Sequence, residues 1–291
     1  MKKLFFSALF LGATCMVFAQ ANQSTVDQTG NNNDAKVTQI GNANVSDIDQ
    51  MGDGNMATVD QTGTTNKATI YQQGNKNDAD IMQMGLNNDA NQKQVGDENI
   101  ADAYQDGKNN MSNQMQDGMK NEAYVVQYES NNKATQSQKG DNNFSESLQN
   151  DLGSGGGNVS MQNQIGKWNT ARVWQSGPSS WNYADQYQNG NDNVALAQQI
   201  GKSNYSEQET DQNGLKNWSL AEQKLGYNKA YIDQKGDENW SSVYQKGNSN
   251  NANITQDGMM NNSKSLQFGS YHKNTVNQIG NGNTSFVSQA N

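Results

Sequence analysis

Residues 61–85 read QTGTTNKATIYQQGNKNDADIMQMG, a polar stretch that repeats itself at an interval of eleven. Gln recurs at 61, 72 and 83, and Gly recurs at 63, 74 and 85. The composition alone favours disorder, because 32% hydrophobic residues and a mean hydropathy of −1.01 lie well below the values of globular chains. A strict internal period overrides that indication and predicts a repeat protein.

The same unit extends along nearly the whole chain. Counted from its Asn as position 0, it reads N-x-A/S-x-φ-x-Q-x-G-x-x, begins at Asn22 and gives 24 units, the last of which begins at Asn283. Extra residues interrupt the spacing at 151–157 and at 177–181. Two more enter between Asn204 and Gln212, which we interpret as a bulge with Thr210 in the Gln place.

Restriction at every second residue predicts strands. Positions 0, 2, 4 and 6 are nearly fixed, whereas positions 1, 3 and 5 vary freely, so one face of each strand is controlled and the other faces solvent. The chain must turn within four residues after each Gln, and Gly at position 8 adopts a positive φ at little cost. The turn glycines of the first units are Gly30, Gly41, Gly63, Gly74 and Gly85.

Spacing by eleven fits either hairpins or a solenoid, and position 4 favours the solenoid. Alternate units from the seventh to the seventeenth carry Gln at position 4, while the units between them carry Ala, Val or Ser, so the true period is 22. The predicted inner Gln ladder consists of Gln92, Gln114, Gln136, Gln162, Gln186 and Gln208.

The predicted fold is therefore all-β: a two-strand-per-rung β-solenoid of 24 strands and about 12 rungs of 22 residues, amyloid-like, with parallel in-register stacking. Identical amides above one another form hydrogen-bonded ladders. The stacking ladder of the first units is Asn33, Gln39, Asn44, Gln50, Asn55, Gln61, Asn66, Gln72, Asn77, Gln83, Asn88 and Gln94.

The first residues have the layout of a secretory signal peptide. Lys2 and Lys3 precede a short apolar run that ends in small residues, which predicts a signal at 1–19, or cleavage after 21, ahead of a repeat domain at 22–291. Its removal would change the net charge from −9 to −11 and remove Cys15, the only cysteine. The acidic remainder argues against nucleic acid as a partner. The protein is expected to be secreted.

The sequence contains no signature of catalysis or of a bound cofactor. The single histidine, His272, occupies an Asn place of the repeat. No H-x-x-x-H, cysteine pair or nucleophile elbow occurs, so we expect no enzyme activity, catalytic residue, cofactor, metal or small-molecule substrate.

The pattern Q-x-G-x-x-N-x-A-x-x-x-Q, seen for example from Gln61 to Gln72, resembles the curlin repeat of curli subunits. That resemblance implies a bacterial functional amyloid that forms extracellular fibres for biofilm matrix and adhesion. It implies self-association, with a nucleator subunit and an outer-membrane secretion pore as further partners. Curli major subunits resemble a five-rung design with a non-repeat segment after the signal. Here twelve rungs are expected, and the first begins almost at the cleavage site.

Both end strands are expected to be uncapped, which favours a fibre-forming subunit. The strands from Asn22 to Gln28 and from Asn283 to Gln289 would polymerise head to tail through their free edges. The alternative is a monomeric secreted β-solenoid binding module, of the adhesin-stalk or ice-binding type. Two interpretations of the outward aromatic residues stay open, lateral packing of fibrils and no role at all: Trp174, Tyr183, Tyr187, Trp218, Trp240 and Tyr244.

Overall fold

A computed structural model of the chain describes residues 21–149, 156–177, 181–201 and 207–291. These residues form 24 β-strands in two parallel sheets of twelve. Consecutive strands belong to alternate sheets, so each pair of strands makes one rung, and like strands stack every 22 residues, or every 24 or 26 where residues are inserted. The predicted β-solenoid is confirmed.

The first sheet, called the odd sheet, stacks the odd-numbered strands in chain order: β1 Gln23–Thr29, β3 Val45–Met51, β5 Lys67–Gln73, β7 Asp89–Asp97, β9 Met111–Met119, β11 Lys133–Asp141, β13 Val159–Lys167, β15 Tyr183–Asn191, β17 Glu207–Leu215, β19 Lys229–Lys235, β21 Asn251–Asp257 and β23 Lys273–Ile279.

The second sheet, called the even sheet, stacks the even-numbered strands: β2 Asp34–Asn42, β4 Met56–Thr64, β6 Asp78–Leu86, β8 Ile100–Lys108, β10 Glu122–Ser130, β12 Phe144–Gln149, β14 Thr170–Ser176, β16 Val194–Ile200, β18 Trp218–Lys224, β20 Trp240–Lys246, β22 Asn262–Phe268 and β24 Thr284–Ala290.

The core lies between the sheets and is built from positions 2, 4 and 6. Small residues at position 2 allow the sheets to approach closely, and Ala57, Ala68 and Ala79 are fully buried. Aliphatic side chains at position 4 form one cluster near the N-terminal rungs, around Ile70, and another near the C-terminal rungs, around Ile254. The middle rungs carry buried Gln at this position in the odd sheet instead.

In each turn that the structure describes in full, two backbone positions have a positive φ. The first is the expected glycine: φ lies between 111° and 127° at Gly30, Gly41, Gly63, Gly74 and Gly85. The second, at position 10, directly precedes the Asn and is usually not glycine; Thr65 has φ 57° and Lys76 has φ 55°. Sequence reasoning missed this position because its side chains are diverse.

The structure corrects the expected register at β17. The predicted inner-ladder residue Gln208 is aligned with Ala184 and Ala230, at position 2. Thr210 occupies position 4, opposite Gln186 and Ile232. The extra residues therefore enter before Glu207, and β17 pairs residue for residue with both neighbours, so the predicted bulge is wrong. The side chain of Gln208 and residue Asn204 lie outside what the structure describes.

Candidate functional site: the amide columns and the end strands

The Gln residues at position 6 form a continuous column in each sheet. Gln61 Nε2 donates to Gln83 Oε1 at 2.8 Å and also to the backbone carbonyl of Val45 in the facing sheet at 3.0 Å. Gln50 repeats this pattern in the other column, with Gln72 as its acceptor at 2.8 Å. Each amide therefore binds its rung to the next one and binds the two sheets to each other.

The Asn residues at position 0 hold the turns together. Each of them that the structure describes lies one residue before its strand, not within it as predicted. The N–H of Asn66 donates to Asn44 Oδ1 at 3.0 Å, and Asn44 Nδ2 donates to the carbonyl of Gly63 at 3.1 Å. Since these bonds satisfy turn groups that have no strand partner, the buried Asn replaces the backbone ladder where the chain reverses.

All ladder residues of the first units except the outermost ones are buried. The residues of the predicted stacking ladder from Asn44 to Gln94 are at most 1% exposed. Asn33 and Gln39 lie near the open N-terminal end and are only partly buried. Buried amides are stable only when their donors and acceptors are used, and these columns use them.

A second Gln column, the inner Gln ladder, runs through the middle of the core. Gln92 Nε2 donates to Gln114 Oε1 at 2.9 Å and to two carbonyls of the even sheet, those of Asp80 and Ala101, each at 2.9 Å. Gln114, Gln136 and Gln162 continue the column as far as Gln186. The column stops there because Thr210 follows in the register.

The end strands of the described chain each have a strand neighbour on one side only. β1 carries Gln28, whose Nε2 donates inward to Gln50 Oε1 at 2.7 Å, and Asn22 precedes it. At the other end Gln289 accepts from Gln267 at 2.9 Å, and Asn283 precedes β24. Val26 is 44% exposed although its position is buried in the inner rungs. The outer edges are therefore open.

His272 takes the Asn place of the last odd strand. Its backbone N–H donates to Asn250 Oδ1 at 3.0 Å, as an Asn would. Its ring Nε2 lies 2.7 Å from the carbonyl oxygen of Phe268. The ring thus replaces one amide bond of the column, and the residue has a structural position at the C-terminal edge.

Shifted pKa values occur on the outer faces of both sheets, for example at Asp185 and Asp211 on the odd sheet, and the two largest shifts lie on the even sheet. Burial, assisted by the charges of Asp80, Asp78 and Glu122, raises the pKa of Asp102 to about 6. Burial also raises the pKa of Tyr124 to about 12, with Glu122 and Asp102 adding to the effect. These shifts report a column of like charges rather than a catalytic pair.

Within the described residues, no three His, Cys, Asp or Glu side chains are grouped closely enough to hold a metal ion. The same part of the chain has no helix that is long and apolar enough to span a membrane.

This geometry defines a class of protein: an amyloid-like β-solenoid held together by stacked amide columns. The family model described as the curlin associated repeat matches residues 19–41, 30–63, 52–85, 63–91 and 227–258. Between the matched segments, strands β8 to β18 continue the same two sheets in the same strand order. Residues 19–91 and 227–258 therefore carry the curlin associated repeat, which defines a structural repeat family. No curated protein matches the sequence.

Proposed function

We propose that this protein is the structural subunit of a secreted, curli-like amyloid fibre that serves biofilm matrix and surface adhesion, and that it is not an enzyme. The observation that supports the proposal is the match between its two open edges. Stacking copies head to tail would place β1 on β23 and β2 on β24 in the register that every inner rung uses.

The inward residues of the two edges agree in kind at almost every position. On the odd sheet, Val26 would meet Val276 and Gln28 would meet Gln278. On the even sheet, the corresponding pairs are Val37 with Val287, Ala35 with Ser285 and Gln39 with Gln289. Only Asn274, which would meet Ser24, departs from the small residues usual at position 2. The contact would therefore extend the existing columns without a new kind of interaction.

The hydrogen-bonding groups of the two edges are also complementary. Inside the rod, Asn251 N–H donates to the carbonyl of His272 at 2.8 Å, and Asn262 N–H donates to that of Asn283 at 2.7 Å. The equivalent bonds at a junction join Lys273 N–H to the Asn22 carbonyl and Thr284 N–H to that of Asn33. Since the two edges are different surfaces, their contact is heterologous and generates an open filament.

Secretion is part of the proposal. A signal peptide at 1–19, or cleavage after 21, would deliver the domain at 22–291 to the cell exterior; residues 1–20 lie outside the described structure. By resemblance to curli systems, the partners are further copies of the chain, a nucleator subunit and an outer-membrane pore.

The proposal is tested by incubating the purified chain and following thioflavin fluorescence, seeding, electron micrographs and the roughly 4.8 Å cross-β reflection. A matched pair of variants locates the contact. Val26→Lys places a charge on the inward side of the open edge, so it should block elongation while leaving the rod folded. Thr25→Lys changes the neighbouring outward side chain and should elongate normally. Rods that stay monomeric at high concentration, or equal elongation of the two variants, would refute head-to-tail growth.

The alternative function is a monomeric secreted β-solenoid that binds a ligand, as in an adhesin stalk or an ice-binding protein. The described outward positions of a single column are irregular; along the odd sheet Thr25, Asp47 and Thr69 are followed by Asn91. A repeating planar ligand requires a regular array of side chains, which these outward positions do not provide. The open edge strands therefore support the fibre function better than the outer faces support ligand binding.

A further inference from the structure

The outer faces of the two sheets differ in character. In the odd sheet, position 3 carries mostly amide, hydroxyl and acidic side chains, such as Asn91, Asn113 and Thr135. The even sheet carries a dense set of apolar and aromatic residues on its outer side between β6 and β22. We call this surface the aromatic face: Met82, Ile100, Tyr104, Tyr124, Val126, Phe144, Leu148, Trp174, Val194, Leu196, Trp218, Leu220, Trp240, Tyr244 and Leu266.

The side chains of the aromatic face are held in place by their neighbours. Trp218 and Trp240 are stacked, with ring centroids 5.0 Å apart and planes 3° from parallel. Arg172 lies over the Phe144 ring at 5.0 Å and pairs with Glu146 at 3.4 Å. A contact surface with fixed side chains loses less conformational entropy on binding. Trp174 nevertheless remains 46% exposed at its centre.

Charges are distributed unevenly along this face. Acidic residues lie toward its N-terminal rungs, including Asp78 and Asp80 on β6 and Asp106 on β8. Lysines lie toward its C-terminal rungs, with Lys246 on β20 and Lys264 on β22. Two copies with parallel rods would oppose acid to acid, whereas two copies with antiparallel rods would oppose acid to lysine.

We propose that the aromatic face binds the same face of a second copy, with the two rods antiparallel. A two-fold axis parallel to the strands and above β14 brings β6 opposite β22 and β8 opposite β20, position for position. Asp80 then faces Lys264 and Asp106 faces Lys246. This lateral contact is separate from the edge contact of the proposed fibre and would join two filaments, or two free rods.

The apolar positions agree with the same axis. It places Met82 opposite Leu266 and Tyr104 opposite Tyr244, and it sets Trp174 against its own copy. Arg172 also meets its copy, but each is already neutralised by Glu146. A pocket of about 170 Å³ near the axis, lined in part by Trp174 and Leu220, faces the region that receives Leu148 of the second copy.

The area is sufficient for a stable contact. Nine rungs at about 4.8 Å and six residue steps at about 3.3 Å give a face of roughly 43 by 20 Å. This corresponds to about 850 Å² on each copy, which is the size of a standard specific interface.

Cross-linking tests the geometry. In a Cys15→Ser background, Met82→Cys and Leu266→Cys add one thiol each on the aromatic face without changing its charges. A bismaleimide that spans the ~10 Å between packed sheets should join the two variants when they are mixed. Neither variant should be linked to itself, because its two thiols would lie about eight rungs, or 38 Å, apart. Tyr71→Cys mixed with Thr255→Cys, at the equivalent positions of the odd sheet, is the matched control and should give no link.

Self-linking of Met82→Cys would overturn the antiparallel arrangement. The inference would also be overturned if the test mixture gave no link, or if the control pair linked as well as the test pair. Thioflavin-positive filaments without the cross-link would support the proposed fibre and contradict the lateral contact. Cross-linked dimers without filaments would support the lateral contact and contradict the proposed fibre. Lys264→Asp should lower the cross-linked fraction about tenfold by opposing two acids, and Asp80→Lys in the same chain should restore it.

Discussion

Gln92 lies directly after Ile70 in the odd sheet, and its buried Oε1 has no hydrogen-bond donor among the described residues. Every later member of the inner Gln ladder accepts from the Gln before it. The aliphatic part of the odd-sheet core thus ends at Ile70 and the amide part begins at Gln92. Because Ile70 has no amide to donate, the buried Oε1 of Gln92 stays without a hydrogen bond.

This boundary predicts unequal effects of the same substitution. Gln92→Leu only moves the unpaired acceptor to Gln114, so it should change stability little. Gln114→Leu leaves Gln92 Oε1 without a donor, as before, and creates a second unpaired acceptor at Gln136 Oε1, so it should cost about 1–3 kcal/mol more. Denaturant titration of both variants measures the difference. Equal free energies of unfolding would contradict the directional ladder.

The turn glycines predict a second contrast. A Cβ on Gly63 would lie 1.9 Å from the carbonyl oxygen of Gly85 in the next rung, whereas a Cβ on Gly54 would meet nothing closer than Lys76 Cγ at 3.7 Å. Gly63→Ala should therefore cost more than about 3 kcal/mol. Gly54→Ala should cost about 1 kcal/mol, because only its positive φ is strained. The same denaturant titration distinguishes them, and equal losses would refute the steric explanation.

The acidic column predicts how stability depends on pH. Burial raises the pKa of Asp102 to about 6, above its value in the unfolded chain, so the folded state favours the protonated form. The resulting stability is present below roughly pH 4 and is lost as the pH rises through 6. Asp102→Asn should therefore unfold with a flatter pH profile and gain stability at pH 7 relative to the parent chain. Thr58→Asn, at the same position two rungs earlier, is a control that should leave the profile unchanged; parallel profiles for Asp102→Asn and its parent would contradict the prediction.

The last Asn place predicts an effect on assembly. His272→Asn restores an amide at the C-terminal edge, whose Oδ1 could accept the N–H of Asn22 in the next copy as Asn250 Oδ1 accepts that of His272. The fibre should become more stable, with a lower concentration of residual monomer at equilibrium. Asn283→His makes the opposite change in the even column and should raise that concentration. If neither variant changes it, the Asn columns do not continue across the junction.

Much of this architecture is readable in the sequence because each inward position is restricted to a few residue types. The change of Gln to Ala, Val or Ser at position 4 is enough to separate the two sheets. The register of β17 was not readable in the same way. Asn204 continues the eleven-residue spacing, so the motif alone could not show that Gln212, and not Thr210, joins the Gln column.

Other features have no sequence pattern to reveal them. The left-handed residue before each Asn is Thr at 65, Lys at 76 and Trp at 168, because hydrogen bonds of the neighbouring Asn, and not a preferred side chain, hold that conformation. The aromatic face is also hard to predict, since outward positions repeat no single residue and its character emerges only when the even strands are placed side by side.

The covalent turns have a mechanical consequence for the proposed fibre. Inside one molecule, peptide segments as well as hydrogen bonds connect successive rungs, whereas a junction between molecules has hydrogen bonds and packing alone. With twelve rungs in each copy, such a junction occurs only once in about 58 Å. Shear should break the fibre at these points, so that each fragment carries one intact edge of each kind and can seed new growth.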